Sequence, residues 1–282
     1  MAKSGDLPLV RVQNPDFEAE ILLQGAQLMH FAPRGQKGWI FRSANTPYAP
    51  ADEIYGGVPV IFPWFGVLQD FPEAPNHGFL RQARWEVENA APDGSSLTLG
   101  ISDEEVRAQG FDTTLWPYQF EARLIFGFGE TLDLRFEIQN MSAETVRFEC
   151  SLHAYFAVEN LQMVRVEGLD GEIFCRSQEP DEKQETQSGD IDFGATRGQM
   201  FRSSGLPLIR DENRAFHLAP REGWRSTIVW NPGHAMADLS EDDAKSFVCV
   251  EPGAIEPSAI ALEPGQTYAL DFCVDCVEEV RK

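Results

Sequence analysis

The chain has 282 residues, 43% hydrophobic and 11% aromatic, enough for a sizeable core and too apolar for a disordered chain. Forty-five acidic against 23 basic residues leave a formal charge of −22, which speaks against nucleic acid or an anionic membrane as a partner and confines any phosphate pocket to a local positive island. No apolar run approaches the roughly 20 residues of a membrane span, and Met1-Ala-Lys-Ser-Gly-Asp6 has no hydrophobic signal core, so the expected address is the cytoplasm.

Read in chain order, the pattern is strand almost throughout. Segments 17–23, 97–101, 120–128, 131–138, 145–156, 224–230, 247–250 and 267–274 combine β-type composition with period-two alternation or short apolar runs. Ser102-Asp-Glu-Glu105 has capping-box spacing and predicts one short helix ending before Gly110. The turn Met141-Ser-Ala-Glu144 is expected to fold 131–138 back on 145–156 as a hairpin, and 179–190, charged and closed by Gly189, reads as a solvent loop. Short strands with turn chemistry between them and no internal repeat predict an all-β antiparallel sandwich forming a single domain, 1–282.

Several motifs lead nowhere. The five cysteines are an odd number set mostly in apolar runs, and Cys273-Val-Asp-Cys276 lies on a predicted strand whose alternation points the two thiols to opposite faces, with no second pair to complete a zinc site. Asp238-Leu-Ser-Glu-Asp242 begins like a calcium loop, but Asp243 stands where the turn glycine belongs and Cys249 where the bidentate Glu belongs, which leaves a solvated acidic loop. Gly56-Gly57 lacks the lysine and helix of a phosphate loop, and no serine sits in a nucleophile elbow.

Two titratable side chains stand where strands are otherwise built for burial. Along 145–156 the odd residues Thr145, Arg147, Glu149, Ser151 and His153 form a polar face opposite Val146, Phe148, Cys150, Leu152 and Ala154, so His153 is expected on an open sheet surface. Glu251 shares parity with Phe247 and Cys249 between Val248 and Val250, where lost solvation should raise its pKa from about 4.3 into the range of a useful base. A His and a Glu converging on one cleft make a proton-transfer pair. Taken singly, His153 reads more readily as a solvated or hydrogen-bonded sheet residue and Glu251 as a turn cap before Pro252-Gly253.

Five ordered blocks tie these residues together: Gly56-Gly-Val-Pro-Val-Ile-Phe-Pro-Trp-Phe-Gly66, Asn76-His-Gly-Phe-Leu-Arg81 with Trp85, Leu152-His-Ala-Tyr-Phe156, Trp230-Asn-Pro232 with Met236-Ala-Asp238, and Phe247-Val-Cys-Val-Glu-Pro-Gly253. Together they resemble the hexose-6-phosphate mutarotases (glucose-6-phosphate 1-epimerases) of the aldose 1-epimerase superfamily, and Gln24-Gly-Ala-Gln27 resembles that superfamily's N-terminal strand pair. The resemblance implies a galactose mutarotase-like β-supersandwich with few short helices, and an isomerase interconverting the α and β anomers of an aldohexose without metal or cofactor. In it His153 is the general acid at the pyranose ring oxygen and Glu251 the general base at the anomeric hydroxyl. His77 and Arg81 are substrate-binding, and Asn76 stands where the family often has Gln. The expected partner is a small sugar or sugar phosphate, and the expected state a monomer.

The departures bear on the substrate. Tyr55 replaces the arginine that in the family precedes the Gly-Gly pair and is thought to hold phosphate, and a phenol cannot replace that charge. Arg197-Gly198 stands where an aspartate is usual, and the insert after Pro232 is short; Arg81, Arg84 and Arg197 are the candidate phosphate contacts. Two other classes stay open: a noncatalytic carbohydrate-binding protein using Trp64, Trp85 and Trp230, and a glycoside hydrolase or lyase pairing Glu251 with a second carboxylate. A mutarotase of a non-phosphorylated aldose is the nearer alternative.

Overall fold

The computed structural model describes residues 2–176, 183–194 and 198–278. Its secondary structure is 46% strand and 5% helix, which bears out the all-β reading. The predicted helix forms at Asp103–Ala108: the Ser102 hydroxyl accepts from the Glu105 amide while the Glu105 carboxylate accepts from the Ser102 amide, the reciprocal cap its spacing promised.

Two eight-stranded antiparallel sheets dominate. In the back sheet, Phe120–Phe128 and Leu132–Asn140 lie side by side and Leu132–Asn140 pairs on its other edge with Thr267–Glu278. Both central strands alternate strictly between buried and half-buried residues, because Phe120, Leu124, Phe126, Leu134, Phe136 and Ile138 turn inward. The second sheet, which carries the site, runs in the order Glu185–Thr186, Ile173–Cys175, Gly198–Phe201, Ser226–Trp230, Phe247–Ala254, Cys150–Leu152 and Val60–Ile61, with Tyr155–Ala157 also pairing with Phe247–Ala254. Every residue of Phe247–Ala254 is buried. Its even residues Val248, Val250 and Ala254 join the main core, while Phe247 and Cys249 pack on the other face with Phe41, Tyr155 and Leu239.

The predicted hairpin does not form. Leu132–Asn140 stays in the back sheet, while Val146–Phe148 leaves it to pair with Ile260–Leu262. The turn at 141–144 therefore carries the chain between layers: Asn140 donates to the carbonyls of Glu144 and Leu262, tying the crossover to the strand it is about to join. Nor is 145–156 one strand, since it divides into Val146–Phe148, Cys150–Leu152 and Tyr155–Ala157, and Ser151 and His153 are buried where an open polar face was expected. The predicted loop 179–190 includes the short strand Glu185–Thr186 beside Ile173–Cys175, its residues 179–182 lying outside the described ones. Cys273 and Cys276 lie on one strand, Cys276 in the core and Cys273 only partly covered, as their parity required.

Candidate active site

The site sheet aligns His153 with Glu251. Ser151 pairs with Gly253 and Tyr155 with Cys249, in the same antiparallel register, so His153 falls directly opposite Glu251 across the intervening gap. Regular ladder bonding cannot run through that gap, because Pro252 has no N–H to give. The amides of the His153 strand turn instead to the other side: His153 donates to the Pro59 carbonyl and Tyr155 to that of Gly57. Facing side chains in antiparallel strands stand about 5 Å apart at Cβ, and here His153 Nδ1 reaches to 3.3 Å from Glu251 Oε1. On the other flank Ile228 pairs with Glu251 and Met200 with Ile228, so one row of side chains crosses the sheet.

That row floors a cavity of about 330 Å³, hexose-sized in the range of small-ligand sites, lined by residues including Tyr55, Asn76, His77, Arg81, His153 and Glu251. All six residues proposed from the sequence thus meet in one place. Phe65, Tyr155, Ile228, Trp230, Met200 and Met236 add apolar wall.

His77 is delivered by a turn. Its backbone has φ 63°, its amide donates to the Gly66 carbonyl, and its Nδ1 accepts from the Gly66 amide at 3.0 Å. That acceptance fixes the neutral tautomer with the proton on Nε2. Gly78, next in the turn, tolerates no side chain: a Cβ would lie 2.0 Å from the Phe62 carbonyl oxygen. Gln27 holds the Gly56 turn below Tyr55 by donating to the carbonyls of Ile54 and Gly56, which explains the Gln24-Gly-Ala-Gln27 motif as support for the cavity wall.

The electrostatics follow from burial. Glu251 is 1% exposed, and desolvation pushes its carboxyl well above the ordinary carboxylate range. Desolvation, helped by the Arg81 charge, pulls the His153 imidazole down to about 3. His77 is likewise held well below 6.5, first by burial, then by His153 and Arg81. Although the His153–Glu251 contact falls within ion-pair distance, burial works against the charged form of each, and among the described residues His153 Nδ1 and Glu251 Oε2 have no hydrogen-bond partner. Arg81 is paired with Glu53, whose carboxylate also meets the Tyr55 hydroxyl at 3.5 Å.

Three sequence candidates fall elsewhere. Arg84 sits outside the cavity, beside Glu86 and Gln109. Arg197 lies outside the described residues. Trp64 and Trp85 are buried in the core with their indole N–H groups on the carbonyls of Pro75 and Leu80, leaving Trp230 as the tryptophan of the lining. Sequence reasoning missed Arg176, an exposed guanidinium of the lining that follows the strand Ile173–Cys175, since nothing in the alternation there marks a site. The supposed calcium loop is held by its own protein: Asp243 accepts from Ser43, Asn45 and Ser240. Among the described residues of the lining, Glu251 is the single carboxylate, which leaves glycosidase chemistry without its second acid. Glu149, a half-buried carboxylate four residues before His153, accepts from the amides of Phe65 and Glu256.

The aldose 1-epimerase family matches residues 8–273. An Escherichia coli K12 protein named "Putative glucose-6-phosphate 1-epimerase" is 30% identical over 257 residues, 88% of this chain and 84% of that protein. A Salmonella typhimurium protein of the same name is 29% identical over 278 residues, 95% and 91% of the two chains. Among solved structures, the "putative mutarotase (YeaD)" of Salmonella typhimurium superposes with a TM-score of 0.85 at 26% identity, covering 98% of this chain and 92% of its own. Slr1438 of Synechocystis sp. PCC 6803 superposes at 0.80 with 16% identity and 99% coverage of both chains, a likeness of fold.

Proposed function

The chain belongs to the aldose 1-epimerase family and is an isomerase, and we propose that it interconverts the α and β anomers of a hexose 6-phosphate such as glucose 6-phosphate. The observation that carries the reading is the cross-strand contact of His153 with Glu251 at the bottom of a sugar-sized cavity. Mutarotation needs two proton transfers at oxygens that share one carbon, the ring oxygen and the anomeric hydroxyl. Two groups side by side, 3.3 Å apart, suit that geometry better than groups on opposite walls.

In the proposed cycle the proton of the Glu251 carboxyl passes to the His153 imidazole as the sugar settles. Glu251 then removes the proton of the anomeric hydroxyl while His153 gives one to the ring oxygen. The C1–ring oxygen bond breaks and the C1 carbonyl forms. Rotation about C1–C2 and the reverse transfers close the ring on the other face. Ring opening returns the pair to carboxyl and neutral imidazole, the form burial favours, so the site supports the open-chain intermediate without a lasting charge on either residue. His77 Nε2–H and Asn76 are assigned to sugar hydroxyls, and Trp230 and Phe65 to the apolar faces of the ring.

The ester phosphate is assigned to Arg176. Of the two described arginines in the lining, Arg81 is buried and neutralised by Glu53, whereas Arg176 is 47% exposed, stacks over the Phe174 ring and, among the described residues, pairs with the half-exposed Glu185 at 3.3 Å. The fold is proposed to act as one monomeric unit in the cytoplasm; no helix among the described residues is long and apolar enough to cross a membrane.

Saturation-transfer NMR of anomer exchange tests this with glucose 6-phosphate, glucose and galactose. The expected result is acceleration of the phosphate ester above the free sugars, silence for Glu251→Gln, and for Arg176→Ala a raised KM on the ester with glucose turnover unchanged. Equal turnover of ester and free glucose would remove the phosphate from the reading, and no acceleration of any sugar would remove the reading itself.

A further inference from the structure

Beneath the lining of the cavity lies a third group that proton transfer does not use, packed with Phe41, Tyr155 and Phe247. Cys249 precedes Glu251 by two residues on the same face of Phe247–Ala254 and pairs with Tyr155 on one side and Trp230 on the other. One donor atom each from His153, Cys249 and Glu251 lie within 4.8 Å of one another, and all three residues are buried. Two of the buried polar atoms there, His153 Nδ1 and Glu251 Oε2, have no hydrogen-bond partner among the described residues. Buried polar atoms are nearly always satisfied, so two orphans within one cluster ask for a ligand.

The donors are an imidazole, a thiol and a carboxyl, a set that suits Zn²⁺ and works against Mg²⁺ or Ca²⁺, which take oxygen ligands. Donors around a tetrahedral zinc stand roughly 3.3–3.7 Å from one another given its bond lengths. The His153–Glu251 distance of 3.3 Å already meets this, and the widest separation, 4.8 Å, needs about 1 Å of closure by side-chain rotation. Charge agrees as well: a thiolate and a carboxylate together neutralise a divalent ion, so the bound cluster is neutral in a buried place. Coordination displaces one proton from the thiol and one from the carboxyl to solvent, and the fourth position opens on the cavity.

We propose that His153 and Glu251 of the cavity lining and Cys249 beneath them form a transition-metal site, which takes Zn²⁺ and in doing so withdraws both proton-transfer groups from the sugar. The binding stands independently of the mutarotase reading; the inhibition rests on it. Zinc and sugar then compete for the same two residues, and the thiol supplies an affinity for soft metal that the acid–base pair alone lacks.

The test begins with full-length chelator-treated protein titrated with Co²⁺ and followed by absorption. One equivalent should produce a thiolate-to-cobalt charge-transfer band with the visible bands of four-coordination, and Zn²⁺ should bleach both. Cys249→Ser and Cys249→Ala should lose the charge-transfer band while keeping the wild-type far-ultraviolet circular dichroism, and Cys276→Ser should retain it. In the anomer-exchange assay Zn²⁺ should inhibit wild-type protein competitively with sugar, reversibly by chelator, and inhibit Cys249→Ser at least ~10-fold more weakly relative to that variant's own metal-free rate. A band that survives in both Cys249 variants, or no band in the wild type, overturns the proposal. A band lost with Cys249 in a protein that accelerates no sugar leaves the metal site standing and sinks the mutarotase reading instead.

Discussion

Leu132–Asn140 in the back sheet and Phe247–Ala254 in the site sheet are both central strands, and they treat charge in opposite ways. On the first, Asp133, Arg135 and Glu137 sit on the half-exposed face, and Arg135 alone is bonded to Glu137, Glu222 and Asp271 at 2.7 to 3.1 Å. On the second, both faces are buried and the one ionisable carboxyl, Glu251, has no cation opposite it, only an imidazole that burial keeps neutral. A strand selected for stability exports its charges to water and pairs them there. A strand that retains a lone carboxyl in the interior gives up stability for a group of shifted acidity, which is the difference expected if Glu251 serves the proposed reaction.

The largest effect that tests the contrast is on catalysis. Glu251→Gln keeps the shape of the side chain and removes the proton acceptor, so kcat should fall by roughly 10²–10⁴-fold, the range for loss of one general acid or base. Steady-state anomer-exchange rates measure it. Loss of activity accompanied by loss of folding would instead make Glu251 a structural residue and collapse the comparison.

Stability against pH sharpens the contrast, and the two residues act at opposite ends. Glu251 has a folded-state pKa raised above 4.5, so the unfolded chain releases its proton first and the wild type loses stability as pH rises from about 4.5 through that raised value. His153 has its pKa lowered from 6.5 to about 3, so its contribution is present above pH 6.5 and is lost as pH falls through that window. Urea unfolding should therefore show Glu251→Gln close to wild type at pH 5 and more stable than wild type at pH 8. His153→Asn should flatten the acid limb in part, His77 keeping its share because its pKa is lowered too. Parallel curves for wild type and Glu251→Gln across that range would mean the carboxyl is solvated in solution.

The same contrast explains what was legible in the sequence. Back-sheet strands such as Phe120–Phe128 bury one face, and their alternation announces both the strand and its orientation. The anomaly of Glu251 was legible for the same reason: a carboxyl among valines breaks the pattern of a strand covered on both sides. His153 was legible only as a parity, and parity misjudged its surroundings because period two cannot say whether the polar face meets water or another layer. That His153 lies opposite Glu251 depends on pairing between segments about 100 residues apart, which no local pattern encodes. The failed hairpin is the same limit: the turn at 141–144 was read correctly as a turn, but which sheet the next strand enters is decided by long-range packing. Arg176 and Cys249 stayed hidden because a rim arginine and a core cysteine look ordinary until the cavity is in view.

The smallest effect lies on the exposed face of the back sheet. Arg135 holds three carboxylates, yet it and its partners are partly open to solvent, where ion pairs contribute about 0–1 kcal/mol each after screening and loss of side-chain freedom. Arg135→Ala takes the shared cation from Glu137, Glu222 and Asp271, but Asp271 keeps Arg221 at 3.8 Å and none of the three is enclosed as Glu251 is. Its cost should be about 1 kcal/mol or less and should shrink further in 1 M salt, with anomer exchange unchanged, by urea unfolding at low and high ionic strength. A cost of several kcal/mol that resists salt would mean that this face is desolvated too, and that the two strands differ in function without differing in how they house charge.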